Sequence, residues 1–239
     1  MGVEVSIVIP CKNEERYIGK LLESLKDQNL PSSFEIIIAD ASSTDDTLSI
    51  INQYHDILPN LKVINGGLPS VGRNLGAYAA SGKTLLFIDA DAYFKNPNII
   101  RQSLAVFNSK NADLLGCLLN IEKNSMVRLI YSMCNMIIRL SKFDKPFVVG
   151  TYMMIKKDVF LSHGGFDESL MHCEDYFLSK LIKPKNFIVV SDYVYTDDRR
   201  FKKLGYLNMV LYFAKNTIMK NNKDYFKKDI GYWLWCIER

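Results

Sequence analysis

The chain has 239 residues, of which 48% are hydrophobic and 23% charged, and a formal net charge of +4. That length allows one domain or two small ones with a full apolar core, and the composition is far from disordered, collagen-like or disulfide-stapled classes. The five cysteines are odd in number and scattered without a C-x-x-C pair, so they indicate neither a zinc site nor a disulfide framework and fit a reducing compartment.

The charge is unevenly spread. From Arg199 onward there are ten Lys/Arg and three Asp/Glu, a net of +7, while the first 198 residues carry a net of −3. The basic excess lies wholly in the tail. The N-terminus runs directly into an apolar strand rather than the basic flank of a signal peptide. No uncharged apolar window of about 18 residues occurs, so no membrane span is expected.

In chain order, residues 5–9 read as a buried strand feeding the loop Pro10-Cys11-Lys12-Asn13-Glu14-Glu15. Asn13 is a candidate N-cap, with Glu14 and Glu15 in the first turn of a helix that carries Tyr17, Ile18, Leu21, Leu22 and Leu25. Residues 34–40 form a second buried strand ending in Asp40, then a polar turn and a helix over 47–54. A short third strand spans 61–64. After a Gly/Pro loop, residues 72–80 read as a helix that packs closely through small residues, with Ser81-Gly82 closing it.

Next comes Leu85-Leu86-Phe87-Ile88-Asp89-Ala90-Asp91, a continuous apolar run into two carboxylates. Such a run reads as a strand buried on both faces of a parallel sheet. Ligands of open α/β sheets gather beyond the carboxyl ends of the strands. Asp89 and Asp91, at i and i+2, can therefore converge on one cation, and magnesium or manganese suit carboxylate ligands. By itself Asp-x-Asp is a weak signal, more often a polar turn closing a strand with Asp89 capping the next element.

The pattern then loosens. Helices are expected over 97–108, 126–140, 156–163 and 174–181, and strands over 112–119, 147–155 and 187–190. Alternating strands and helices predict βαβ units, a mostly parallel sheet and right-handed crossovers. Residues 201–239 interleave aromatics and lysines, which suits helices packed on the domain or lying in a membrane interface.

Acids end successive strands at Asp40 and at Asp89 with Asp91, lining one crevice that could take a nucleotide. Neither G-x-x-x-x-G-K-[ST] nor G-x-G-x-x-G after the first strand is present, so phosphates would rest on a metal and on Arg or Lys. Arg73, opening a helix after a Gly-rich loop, is a candidate, though also a plain surface arginine by position. Glu174-Asp175 begins an apolar helix, where acids are often only dipole partners, and the functional reading is a general base. His172, near them, is a lone histidine, and such residues are more often structural; His55 and His163 carry less.

Five stretches in order carry a resemblance: Val5-Ser6-Ile7-Val8-Ile9-Pro10-Cys11-Lys12-Asn13-Glu14; Ala39-Asp40-Ala41-Ser42-Ser43-Thr44-Asp45; Gly72-Arg73-Asn74-Leu75-Gly76; Asp89-Ala90-Asp91; and Gly164-Gly165-Phe166-Asp167-Glu168 with Glu174-Asp175. Together they resemble family-2 glycosyltransferases over residues 3–182. The resemblance implies a GT-A fold, an α/β architecture with a Rossmann-like, mostly parallel central sheet flanked by helices, here with a C-terminal helical extension. Residues 1–200 would form the transferase domain, 1–95 its nucleotide-sugar half and 96–200 its acceptor half, with 201–239 the basic, aromatic helical tail.

The resemblance also implies that Pro10, Asn13 and Glu14 line the nucleotide pocket and that Asp40 contacts the base. Asp89 and Asp91 would hold the ribose and a divalent cation, Mn2+ or Mg2+, on the diphosphate. Arg73 would reach the donor, as would the basic pair Arg199-Arg200. Asp175 would be the base of an inverting transfer, with Glu174 beside it. The implied partners are a nucleoside-diphosphate sugar and a glycan or lipid-linked acceptor, with a membrane surface open to the tail and no nucleic acid. The implied place is the cytoplasm, with the inner face of the cell membrane within reach. Ala41 stands where many members have Asp or Gly, and Lys180 where many have Arg. The Q-x-x-R-W signature of processive synthases is absent, which favours transfer of one sugar. A nucleotidyltransferase of related fold would open with a Gly-rich, Arg-bearing loop, which Pro10-Cys11-Lys12-Asn13 is not. A non-catalytic nucleotide-sugar or membrane-surface binding protein would not need Asp89, Asp91, Glu174 and Asp175 intact.

Overall fold

The computed structural model describes residues 2–31 and 33–231. Seven strands make one sheet: β1 (Val5–Cys11), β2 (Phe34–Asp40), β3 (Leu61–Asn65), β4 (Thr84–Ile88), β5 (Leu114–Asn120), β6 (Tyr152–Lys156) and β7 (Phe187–Tyr195). Their order is β3-β2-β1-β4-β6-β5-β7. All pairings are parallel except those of β6, which runs antiparallel to β4 and β5.

Residues of β1, β2 and β4 point alternately to two buried faces. Val5, Ile7, Ile9, Ile36, Ile38, Leu86 and Ile88 share one core with Leu21, Leu22 and Leu25 of α1 (Ile18–Lys26) and Phe107 of α4 (Ile99–Ser109). Val8, Ile37, Leu85 and Phe87 share the other with Ala77 of α3 (Pro69–Ala79), Phe160 of α6 (Lys157–Ser162) and Leu178 of α7 (Glu174–Ser179). Apolar side chains on both faces are the cause of the unbroken hydrophobic runs. A short α2 (Thr47–Asn52) follows β2.

Helix α3 approaches the sheet closely because its glycines have no side chain in the way. A Cβ on Gly76 would lie 2.3 Å from Val8 Cγ1. Gly82 has a different purpose from the helix closure expected of it. Helix α3 ends on the extended residue Ala80, and a Cβ on Gly82 would fall 2.5 Å from Ser6 Oγ, so the glycine permits close passage beside β1.

Asn13 does not cap α1, which starts at Ile18. It sits at φ 52° and is spent on holding the loop after β2 instead. Its amide donates to Ser43 Oγ (2.9 Å) and its Oδ1 accepts from the Thr44 amide (2.8 Å). Residues 147–151 are irregular rather than strand, because Gly150 and Thr151 turn their polar groups to neighbouring acids.

Helix α5 (Ser125–Ser141) crosses beside β5. The tail forms α8 (Arg199–Leu204), α9 (Tyr206–Met219) and α10 (Lys223–Phe226), which pack on the domain. Phe201, Met209 and Tyr212 meet Val127, Ile130 and Tyr131 of α5, and Phe226 meets Leu170 and Phe177. Tyr232, Trp233, Leu234 and Trp235, part of the aromatic tail pattern, lie outside the described residues. Among the described residues no helix is long and apolar enough to cross a membrane.

Candidate active site

The strand order reverses between β1 and β4: β2 lies on one side of β1 and β4 on the other. A crevice opens at such a switch point, at the carboxyl ends of the strands. Pro10, Asn13 and Glu14 lie just past β1, Asp40 ends β2, and Asp89 and Asp91 follow β4. Because β6 is antiparallel and pairs Tyr152 with Ile88, its entry residues Gly150 and Thr151 arrive at the same end.

Arg73 is the hub. It is only 3% exposed. Its Nη2 donates to Asp89 Oδ1 (2.5 Å) and its Nη1 to Glu174 Oε1, so one guanidinium ties the end of β4 to the start of α7. Thr151 Oγ1 donates to the other Asp89 oxygen at 3.0 Å. Burial would raise the Asp89 carboxyl, but Arg73, Arg200 and the Thr151 hydroxyl hold it below its ordinary value. Gly150 leaves room for this hub, since a Cβ there would lie 2.7 Å from Arg73 Nη2. Its amide also donates to Asp175 Oδ2 at 2.8 Å.

Asp175 therefore faces the site with one oxygen on Gly150 and the other accepting from the Tyr176 amide (2.7 Å). Burial first, and the neighbouring Glu174 second, push its carboxyl up to about 7. Cys173, which precedes α7, sits in the left-handed region at φ 61°.

A second arginine closes the β1–β2 side of the crevice. Arg199 donates from Nη1 and Nη2 to both Glu14 oxygens (2.7 and 2.8 Å), and from Nη2 to Asp91 Oδ2 at 3.0 Å. Its guanidinium carbon lies 4.5 Å from the centre of the Tyr17 ring. Asp89 and Asp91 thus follow one strand yet rest on different arginines. Asp40 is turned onto its own loop, accepting from the Ser43 amide (3.0 Å) and hydroxyl (2.5 Å).

A cavity of about 510 Å³ brings many of these groups to one surface. Arg73, Asp89, Asp91, Glu174, Asp175 and Arg200 line it. Pro10, Asn13, Glu14, Asp40 and Arg199 are not among its lining residues and border the crevice on the β1–β2 side instead. Among the described residues no group of three His, Cys, Asp or Glu forms a metal cage. The donor set, two carboxylates in a wall of one cavity, fits a magnesium- or manganese-type ion that takes its other ligands from substrate phosphates and water.

His172 belongs to the core. It is fully buried, its Nδ1 lies 3.2 Å from the Tyr212 hydroxyl, and it packs against Tyr225 and Phe226. Burial pushes its pKa down to about 4, so it is neutral and joins the tail to the loop before α7.

Asn74, next to the hub, clamps the Gly164–Glu168 stretch. Its Oδ1 accepts from the Phe166 amide (2.9 Å), and its Nδ2 donates to the Phe166 carbonyl (2.9 Å) and to Glu168 Oε1 (2.8 Å). Asn74→Ala would leave buried backbone groups unpaired and should cost about 1–3 kcal/mol in denaturant unfolding. A loss below a few tenths would show that water replaces the clamp.

The family model described as "Glycosyl transferase family 2" matches residues 6–164. The chain belongs to glycosyl transferase family 2. A poly(ribitol-phosphate) beta-N-acetylglucosaminyltransferase, TarS, of Staphylococcus aureus is 36% identical over 118 residues, covering 47% of this chain and 20% of that protein. A poly(ribitol-phosphate) beta-glucosyltransferase of Bacillus spizizenii is 29% identical over 201 residues, covering 81% and 32%. The chain thus spans a fifth to a third of the length of these family-2 relatives.

The crystal structure of S. aureus TarS 1–349 with UDP-GlcNAc aligns with TM-score 0.63 and 27% identity, over 81% of this chain and 58% of that one. A Pyrobaculum calidifontis mannosyltransferase structure with GDP-Man and Mn2+ aligns with TM-score 0.68 over 90% and 64%, at 17% identity, a likeness of fold alone. The GT-A fold expected from sequence is the fold of the family-2 chain.

Some site residues escaped sequence reading. Thr151 as a partner of Asp89 and Tyr17 beneath Arg199 carry no motif. The signal for Gly150 was there, since a glycine inside an apolar run marks a close backbone approach.

Proposed function

We propose that this chain is an inverting, metal-dependent transferase that moves one sugar from a nucleoside-diphosphate sugar to a hydroxyl or lipid-phosphate acceptor. The observation that carries the reading is Asp175, a carboxylate whose proton affinity is raised to about 7, in the same cavity as Asp89 and Asp91. A base poised near neutral pH suits proton removal from an attacking hydroxyl.

Inversion requires one in-line displacement, with the base and the leaving diphosphate on opposite faces of the sugar. Asp175 would take the acceptor proton; Glu174, locked to Arg73, would hold the start of α7 in register. The beta linkage in the relatives' names is the product expected when an alpha-linked nucleotide sugar is inverted. Asp89 and Asp91 would hold a divalent cation, which when bound neutralises charge on the leaving diphosphate. Arg73 and Arg200 would add fixed positive charge at the cavity wall, and Arg199 would keep Glu14 and Asp91 in place beside it. Pro10, Asn13, Glu14 and Asp40, at the ends of β1 and β2, would border the nucleoside. In this reading residues 1–95 form the donor half, 96–200 the acceptor half and 201–239 the tail.

The test is thermal stability with a panel of nucleoside diphosphates, each with and without manganese. A matching nucleotide at a hundredfold its dissociation constant should add roughly 2.7 kcal/mol, and only with the metal. Absence of a shift with every nucleotide would overturn the donor assignment, and a shift indifferent to manganese would overturn the metal.

A further inference from the structure

Helix α5 has two apolar faces where a surface helix needs one. Val127, Ile130, Tyr131 and Ile138 are buried inward. Outward, Met126, Leu129, Met133, Met136, Ile137 and Leu140 are 51–61% exposed, and Phe143 just beyond is 75% exposed. Their steps of three and four residues put them on one stripe. At 17 residues the helix is about 25 Å long, so this stripe runs its full length. Helix α9, packed beside it, adds exposed Leu207, Val210, Leu211 and Ile218. Contiguous apolar surface of this extent is unusual on a soluble monomer and marks a docking surface.

The charge around it selects the partner. Residues 125–145 carry four Lys/Arg against Asp144 alone, and residues 199–231 carry nine against two. A second copy would bring the same positive charge to the contact, whereas an anionic lipid surface is complementary to it. Lysine and arginine around an apolar stripe are the composition of a helix lying in a membrane interface. The cavity gives the direction: Ile137 and Leu140 of the stripe line it together with Met209, Tyr212 and Phe213, and its other wall holds Asp175.

We propose that α5, flanked by α9, lies in the plane of an anionic lipid bilayer with its Met126–Phe143 stripe among the acyl chains and the cavity mouth at headgroup level. An amphipathic acceptor then slides head-first between α5 and α9 to Asp175 without leaving the lipid. The acceptor's path rests on the transferase reading; the surface contact does not.

The experiment is flotation of the full chain with vesicles of phosphatidylcholine alone and of phosphatidylcholine mixed equally with phosphatidylglycerol. The chain should float with the anionic vesicles and much less with the neutral ones. The triple variant Leu129→Ser, Met133→Ser, Met136→Ser should bind at least roughly a hundredfold more weakly, and Arg139→Glu with Lys142→Glu should weaken binding to the anionic vesicles. Because these positions are exposed, both variants should keep the melting temperature and the nucleotide-induced shift of the parent. Binding unchanged in the triple variant, or none to anionic vesicles, overturns the proposal. So does a concentration-dependent dimer dispersed by the triple variant, which would assign the face to a second copy. A parent that floats but shows no nucleotide shift would sink the transferase reading and leave the lipid surface standing.

Discussion

Asp175→Asn should leave nucleotide binding intact and cut sugar transfer by roughly 10²–10⁴-fold, the usual contribution of a positioned general base. Asparagine keeps the shape but has a single acceptor oxygen, so it holds one of the two backbone amides, Gly150 or Tyr176, and gives up the other together with the basicity. In the parent, burial and then Glu174 raise the carboxyl to about 7, against the Gly150 amide and Arg73, which lower it. Only the ionised form can take a proton, so kcat/KM should climb with pH and level off above about 7.

The same shift has a stability signature. The folded value lies above the unfolded one, so between about 4 and 7 the native chain holds more protons than the unfolded chain. Stability from this group is complete at the acid end and is lost as pH rises through the folded value. Asparagine has no such slope, so the variant should gain on the parent in melting temperature across that window. Turnover that survives the substitution, or a pH profile flat between 6 and 8, would remove Asp175 as the base.

Arg73→Ala should be the most damaging single change to the fold of the site. It strands Glu174, 4% exposed, and Asp89 without their shared cation. Breaking a buried ion pair from one side costs about 3–5 kcal/mol, because the remaining charge stays buried. In a chain of this size that is a fall of roughly 6–20 °C in melting temperature, measurable by calorimetry. Arg73→Lys should lie between, since an ammonium cannot fork to two carboxylates on opposite sides. A melting temperature within about 2 °C of the parent for the alanine variant would show that the two pairs contribute nothing net.

Much of this was legible in the sequence, for a physical reason. The buried strands of a parallel sheet are written as continuous apolar runs, so β1, β2 and β4 and the acids that end them could be placed from residues alone. Asp89 stands out because it follows the end of a strand and Asp175 because it begins a helix; Arg73, expected at a helix start, lies instead inside α3, which begins at Pro69. Partner choice was not legible. Nothing in the spacing of Arg199 says that it faces Glu14, 185 residues away, rather than solvent. The reversal of β6, which brings Gly150 and Thr151 to the site, is a property of the sheet and not of the strand's own sequence. The N-cap assigned to Asn13 failed because a left-handed residue that bonds a neighbouring loop has the same composition as a cap.

The bond from Arg199 to Glu14 has a consequence for how the molecule is made. Its partners are separated by 185 residues, which a ribosome takes roughly 10–40 s to add at about 5–20 residues per second. The first four strands have already emerged by then and can pair. Glu14 and Asp91 must wait, two carboxylates that repel each other across an open crevice until Arg199 arrives. The β1–β2 side of the crevice is therefore among the last parts of the domain to close during synthesis.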